Sequence, residues 1–243
     1  MYFLKTLFVL TSPLNSVKLT PFKGEVIMPK SIRTPEEIKR VKEDILLAAV
    51  TLIGEKGFST LSMRKLAASL GMTAANIYNY YQNKDELYLD IQKKGFEKIY
   101  EAFFTLLSEE KNLRGQIKGV VSEYIRFGTE NPHWYNIIFS MDTPKYADYK
   151  DSSMEPTARK EKQAGLKLIT LASAMLADTG YPEKKITRKI IHLWISMHGI
   201  VSLVNSRVLQ EVEEDINSLV EEILTDLTDD ILPEKNQDKE KNR

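Results

Sequence analysis

The chain has no cysteine. That excludes disulfides, thiolate zinc sites, thiolate-held iron–sulfur clusters and a cysteine nucleophile, and it fits a reducing, cytoplasmic setting. Glycine and proline are scarce, at 11 and 9 in 243 residues, against a combined average of about 12%. Collagen-like, low-complexity and turn-rich all-β chains are thereby disfavoured. Net charge is also missing, because 34 Lys and Arg balance 34 Asp and Glu. A nucleic-acid partner must therefore be met by a local patch and not by bulk charge. The apolar start, Met1–Leu10, is broken by Lys5 and is shorter than the ~20 residues that span a bilayer. It has neither the charged start nor the cleavage site of a signal peptide. Residues 1–30 are expected to be a disordered extension, with Met28 a plausible true start, and no membrane partner is expected. Catalytic signatures are lacking as well: there is no glycine-rich phosphate loop and no H-E-x-x-H. His192 and His198 are six apart, on opposite sides of a helix. Neither an enzyme, a metal site nor a cofactor is expected.

What is present is helical periodicity. Thr34-Pro35-Glu36-Glu37 starts a helix through a capping box with proline at its first position. Ile38, Val41, Ile45, Ala48, Ala49 and Leu52 follow at helical spacing, and Gly57 ends it. A short helix from Ser62 carries Met63, Leu66, Ala67 and Leu70 on one face and stops at Gly71. Thr73 caps a third helix to about Tyr81. Asn83 caps a long fourth helix, with Glu86 completing a second capping box. Further helices are predicted at about 113–129, 132–140, 157–178, 183–206 and 212–230. The stretch 142–156 reads as a loop and 233–243 as a charged, disordered tail. The fold class is all-α.

Two short helices joined by a glycine turn form a helix-turn-helix, whose second helix enters the DNA major groove. Such helices are unstable alone, so Ile45, Leu52, Leu66, Leu70, Ile77 and Tyr81 are expected to form a small shared core. A helix start offers free N–H groups to phosphate. Asn pairs with adenine, and an alanine methyl meets thymine methyl. Lys30, Arg33, Lys39, Arg40 and Lys42, against Glu36 and Glu37, make the lead-in and first turns of the first helix basic.

From Gly57 through Leu66-Ala67, Leu70-Gly71-Met72-Thr73 and Ile77-Tyr78-Asn79-Tyr80-Tyr81 to Leu87, the chain resembles the DNA-binding domain of TetR-family transcriptional regulators. Apolar, capping, aromatic and basic positions agree at fixed spacing. The resemblance implies that Thr73 caps the recognition helix and that Ala74, Ala75 and Asn76 lie at its groove-facing start. It places Tyr78, Asn79 and Tyr80 along the DNA-facing side and Lys84 at backbone phosphate. Arg64 and Lys65 can add phosphate contacts. Many members carry Lys or Gly near Ala74 and Ala75 and His at Asn79. The nearly uncharged face here points to few base contacts and to readout of DNA shape.

Residues 31–88 are thus expected to bind double-stranded DNA at an inverted repeat, and 89–232 to bind an effector and dimerise. Pro132 with Tyr135–Phe139, and Trp194-x-x-x-His198-Gly199, resemble one branch of the same family. Bundles bind small molecules between helices. Phe104, Tyr124, Phe127, Trp134 and Tyr135, with Phe139, Met175, Trp194 and His198, are candidate lining for a small apolar or aromatic effector. Helix 183–206 is apolar nearly all round, so part of its surface is expected to face a second subunit. In the family the last two helices form the dimer interface, which here nominates Ile190, Leu193, Met197, Val201 and Val204 with Ile216, Leu219, Val220 and Ile223. The implied function is a ligand-released, DNA-binding repressor. Control by a protein partner, or a helical interaction protein without ligand, are the alternatives.

Overall fold

The computed structural model describes residues 33–232. The expectations for residues 1–30 and 233–243 lie outside them. The described residues form α1 (Pro35–Lys56), α2 (Met63–Ser69), α3 (Ala74–Tyr78), α4 (Lys84–Glu109), α5 (Leu113–Glu130), α6 (Pro132–Tyr135), α7 (Glu155–Met175), α8 (Glu183–Asn205) and α9 (Ile216–Ile231), with no strand among them. No helix is long and apolar enough to cross a membrane among these residues.

Side chains written into the sequence as caps define the first four helices. Thr34 Oγ1 accepts from Glu37 N at 3.2 Å, and the Glu37 carboxylate accepts from Thr34 N at 2.8 Å. Ser62 and Thr73 cap α2 and α3 by accepting from Lys65 N and Asn76 N, each at 3.2 Å. Each such cap is worth about 1 kcal/mol. Asn83 Oδ1 accepts from Glu86 N at 2.7 Å, but the Glu86 carboxylate takes the Gln82 amide at 2.7 Å, not that of Asn83. The expected second capping box is therefore displaced by one residue.

Three predicted boundaries shift for local reasons. The third helix ends at Tyr78 rather than Tyr81, because the Asn79 and Tyr80 amides close tighter turns onto Asn76 O and Ile77 O. The 142–156 stretch holds a 3-10 turn at Tyr146–Tyr149, and α7 starts at Glu155 with Pro156 in its first turn. There the missing proline N–H is one the helix would leave unpaired in any case. The predicted 132–140 helix is α6 followed by a π-helical turn, Asn136–Ser140.

Two cores result. The first joins α1, α2, α3 and the start of α4 around Ile45, Ile53, Leu66, Ile77, Tyr81 and Leu87, with Leu52 and Leu70 half-buried at its edge. Trp134 and Ile137 from the α6 segment close it. The second lies between α4, α5, α8 and α9 around Ile99, Ile117, Val121, Leu193, Val201 and Leu224. Each fully buried Ile or Leu contributes about 1.5–3 kcal/mol, which is what holds helices as short as α2 and α3 in place.

Candidate nucleic-acid interface and ligand cavity

The α2–α3 pair turns at Gly71, whose φ of 63° is the left-handed conformation glycine adopts without strain. Ile77 points inward and is fully buried, while Tyr78 on the next position is 51% exposed. Arg64, Lys65, Thr73, Ala75 and Asn79 are exposed, and Ala74 and Asn76 are half-exposed. The geometry fixes this surface to α4: the Tyr81 hydroxyl donates to Asp90 Oδ2 at 2.7 Å, and Lys42 sits 4.8 Å over the Tyr81 ring.

Two expected contact residues are placed differently. Tyr80 is buried in the first core under the Arg33 guanidinium, 5.6 Å from its ring centroid, so it packs where a DNA-facing position was expected. Lys84 Nζ donates to Phe58 O at 2.6 Å and lies 3.8 Å over the Phe58 ring. Burial there holds its ammonium pKa below the ordinary lysine value. It pins the turn after α1 to the start of α4, and only its remaining N–H donors can serve a phosphate.

A cavity of about 610 Å³ opens between α4, α5, α7 and α8. Of the nominated residues, Tyr124, Phe139, Met175, Trp194 and His198 line it. Trp194 Nε1 donates to the Tyr124 hydroxyl at 3.1 Å. His198 Nδ1 is 2.5 Å from the Tyr135 hydroxyl, which is also 3.1 Å from His198 O. Both contacts are satisfied when Nδ1–H donates to the tyrosine oxygen and the hydroxyl donates to the carbonyl, leaving Nε2 as an acceptor. Burial pushes the Tyr124 hydroxyl up to about 12 and lowers the His198 pKa.

The other four nominees lie elsewhere. Phe104 is 54% exposed and stacks on Tyr100. Trp134 belongs to the first core. Phe127 packs between the two cores, and Tyr135 stands behind the lining, holding His198. An aromatic residue at helical spacing carries no sign of which layer it enters.

The cavity lining also includes residues not nominated from the sequence, among them Gln92, Phe96, Lys145 and Glu161. A signal for Gln92 was present, since it interrupts the buried row Tyr88, Ile91, Gly95 and Ile99 along α4. Burial pushes the Glu161 carboxyl up to about 7, opposed by Lys145 and Lys162. The folded chain thus holds this proton more tightly than the unfolded chain. Stability is expected to fall as pH rises from the usual carboxylate range through about 7. Denaturant unfolding at pH 5 and pH 8 checks this, with Glu161→Gln flattening the slope.

Residues 45–91 match the profile of bacterial regulatory proteins of the tetR family, and residues 117–227 match the tetracyclin repressor-like C-terminal domain. The chain belongs to the TetR family. It is a ligand-responsive, DNA-binding regulator of transcription. An uncharacterized HTH-type transcriptional regulator of Mycobacterium tuberculosis is 21% identical over 202 residues, spanning 80% of this chain and 82% of that protein. The biofilm operon negative regulator IcaR of Staphylococcus epidermidis is 26% identical over 87 residues, 36% of this chain and 45% of IcaR. A tetR-family regulatory protein from Rhodococcus RHA1 shares the fold at a TM-score of 0.62 and 15% identity, covering 79% and 97% of the two chains. AibR, solved with isovaleryl coenzyme A and operator DNA, shares it at 0.51 and 20% identity, covering 67% and 84%.

In this TetR-family chain the nominated α8 residues turn inward. Ile190, Leu193, Met197 and Val201 are buried within the chain, the first three in the cavity wall, and Val204 packs against the second core. The outward row is instead Ile191, Ile195 and Leu203, stepping by four residues through Gly199, beside whose added Cβ nothing lies within 4 Å; Ile195 also borders the cavity. A helix apolar on all sides gives no phase by which to choose its outer row. On α9, Val220 and Ile223 pack against the second core, while Ile216 and Leu219 are half-exposed.

Proposed function

We propose that this regulator represses transcription in the cytoplasm as a homodimer on an inverted-repeat operator and is released by a small apolar or aromatic effector. Residues 31–88 carry the DNA surface, and residues 89–232 carry the cavity and the dimer face. The observation that carries the reading is the α2–α3 surface. Arg64, Lys65, Ala75, Tyr78 and Asn79 stand outward together while Ile77 and Tyr81 anchor them to α4. That is the arrangement by which a recognition helix enters a major groove. AibR, a structural neighbour, was solved with both a small molecule and operator DNA.

The dimer face is the outer row of α8, Ile191, Ile195 and Leu203, with Ile216 and Leu219 of α9. Coupling from cavity to DNA runs through two contacts. Ile138 and Phe139 line the cavity, while Trp134 and Ile137 of the same segment seal the DNA-binding core. The Tyr149 hydroxyl, just before α7, donates to Asp85 Oδ1 at 3.3 Å in the first turn of α4. A ligand shifts the equilibrium only by its differential affinity for the two arrangements.

Selection from a random duplex library with the full chain, at near-physiological salt, tests the reading. An inverted repeat is the expected product, and recovery of no motif overturns it. On that operator, Asn76→Ala is expected to change preference at one base position, at a cost of about 1–3 kcal/mol. Arg64→Ala and Tyr78→Ala are expected to weaken all sequences alike, with Arg64→Ala reducing the salt slope by about 1. Competitive binding over a salt series separates the two classes.

A further inference from the structure

We infer that the cavity takes an amphipathic organic cation, with its charged nitrogen at Glu161 and Gln92 and its apolar body among Phe96, Phe139, Met175 and Trp194. This rests on the reading of the cavity as an effector site and names the ligand class that site selects.

Trp194 Nε1 already bonds Tyr124 and His198 Nδ1 already bonds Tyr135, with His198 Nε2 left as an open acceptor. Two further lining residues have no such bond. Gln92 is only 4% exposed and lines the cavity, yet it has no hydrogen-bond partner among the described residues. Glu161, the sole carboxylate in the lining, likewise makes no hydrogen bond and no close ion pair among them. Their polar atoms open onto the cavity, and a ligand that displaces water there must replace the hydrogen bonds that water makes. An N–H cation supplies donors to the Glu161 carboxylate and the Gln92 carbonyl together. An anion would meet the Glu161 carboxylate instead. Lys145 does not reverse this preference: it is exposed at the rim, and its ammonium donates to Thr143 Oγ1 at 3.1 Å. The volume of about 610 Å³ suits a ligand of drug size.

The charges acting on Glu161 are Lys145 from the preceding loop and Lys162 on its own helix. The Tyr88 hydroxyl on α4 feels Glu161, and burial raises its pKa, so it stays neutral at pH 7. His198 on α8 is shifted toward its neutral form. With its carboxyl near 7, Glu161 is part-protonated at neutral pH, and a bound cation expels that proton.

The test uses the full chain and three probes with the same ten-carbon tail: decylammonium, decanol and decanoate, all below micellar concentrations. Binding is followed by tryptophan fluorescence, because Trp194 stands in the lining. Calorimetry at pH 7 in buffers of different ionisation enthalpy counts protons. Decylammonium is expected to bind about tenfold tighter than either other probe, a preference of about 1.4 kcal/mol, with release of up to about half a proton. Glu161→Gln is expected to erase both the preference and the proton release. Tightest binding by decanoate or decanol overturns the cation assignment and spares the effector reading. So does a preference that survives Glu161→Gln. Binding by none of the three also overturns the assignment. Decylammonium that binds as expected but leaves the operator complex intact upholds the ligand class and overturns the effector role.

Discussion

A Leu203→Glu chain is expected to be a folded monomer that binds the operator about 100-fold or more weakly than the native chain. Leu203 is 43% exposed on the outer row of α8, clear of both cores. In a monomer the new carboxylate stands in water, and surface changes of that kind are usually within about 0.5 kcal/mol. In a two-fold dimer the same patch meets itself, so two carboxylates enter one apolar contact. Removing such charges from water costs several kcal/mol each. DNA binding falls with dimerisation because two linked recognition helices gain about 10²–10⁴ in effective concentration over one. Light scattering reads the mass, and titration against an inverted repeat and an isolated half-site reads the DNA term. A monomer with half-site affinity unchanged is the expected pair of results. A variant that stays dimeric removes the outer row of α8 from the interface. Gly199→Ala is the companion test. Nothing in the chain lies within 4 Å of the added Cβ, so the monomer gains about 1 kcal/mol of helix propensity, while a helix packed against that notch is pushed away.

The parts legible in the sequence are those set by local chemistry. Thr34, Thr73 and Asn83 each cap the helix they were expected to cap, and Ser62 caps the one expected to start there, because a cap is decided within four residues. The all-α class and the helix-turn-helix core followed from periodicity, with Ile45, Leu66, Ile77 and Tyr81 buried as expected. What stayed hidden depends on neighbours distant in sequence. The inward and outward rows of α8 are both apolar, so Ile190 and Ile191 carry the same signal and only packing separates them. Trp134 and Phe139 lie five residues apart in one aromatic run, yet one enters the DNA-binding core and the other the cavity. The π-helical turn between them adds a residue to the turn and rephases the side chains, which no 3.6-residue period reports. Glu161 resembled any solvated glutamate until α4 and the 142–145 loop were placed beside it.

Gly54→Ala is expected to loosen the joint between the cavity and the DNA-binding domain and to lower the melting temperature by several degrees. The α6 segment sits in glycine notches on three helices. A Cβ on Gly54 of α1 would lie 2.2 Å from His133 Nδ1, one on Gly95 of α4 would lie 2.2 Å from Ile138 Cδ1, and one on Gly128 of α5 would lie 3.0 Å from Tyr135 Cδ2. At Gly95 the clash is with the far end of a side chain, which a rotamer change relieves in part. At Gly54 it extends to His133 Cβ at 2.7 Å, the root of the side chain, so α6 itself must move from α1. Overpacking of this kind costs about 1–3 kcal/mol, against about 1 kcal/mol gained in helix propensity. Each net kcal/mol corresponds to about 2–4 °C in a chain of this size. The displaced segment carries Trp134 and Ile137 out of the first core and Ile138 and Phe139 out of the cavity wall together. Operator affinity and ligand affinity are therefore expected to change in the same variant, although Gly54 touches neither site. His133→Ala supplies the decisive second variant, because deleting the ring removes most of what the new methyl strikes. In the double variant the losses are expected to be non-additive by about 0.5–3 kcal/mol, in the direction of rescue. Strict additivity in stability, with ligand and operator affinities unmoved, would show that the α1–α6 contact is packing alone and that coupling runs through α7 and the start of α4.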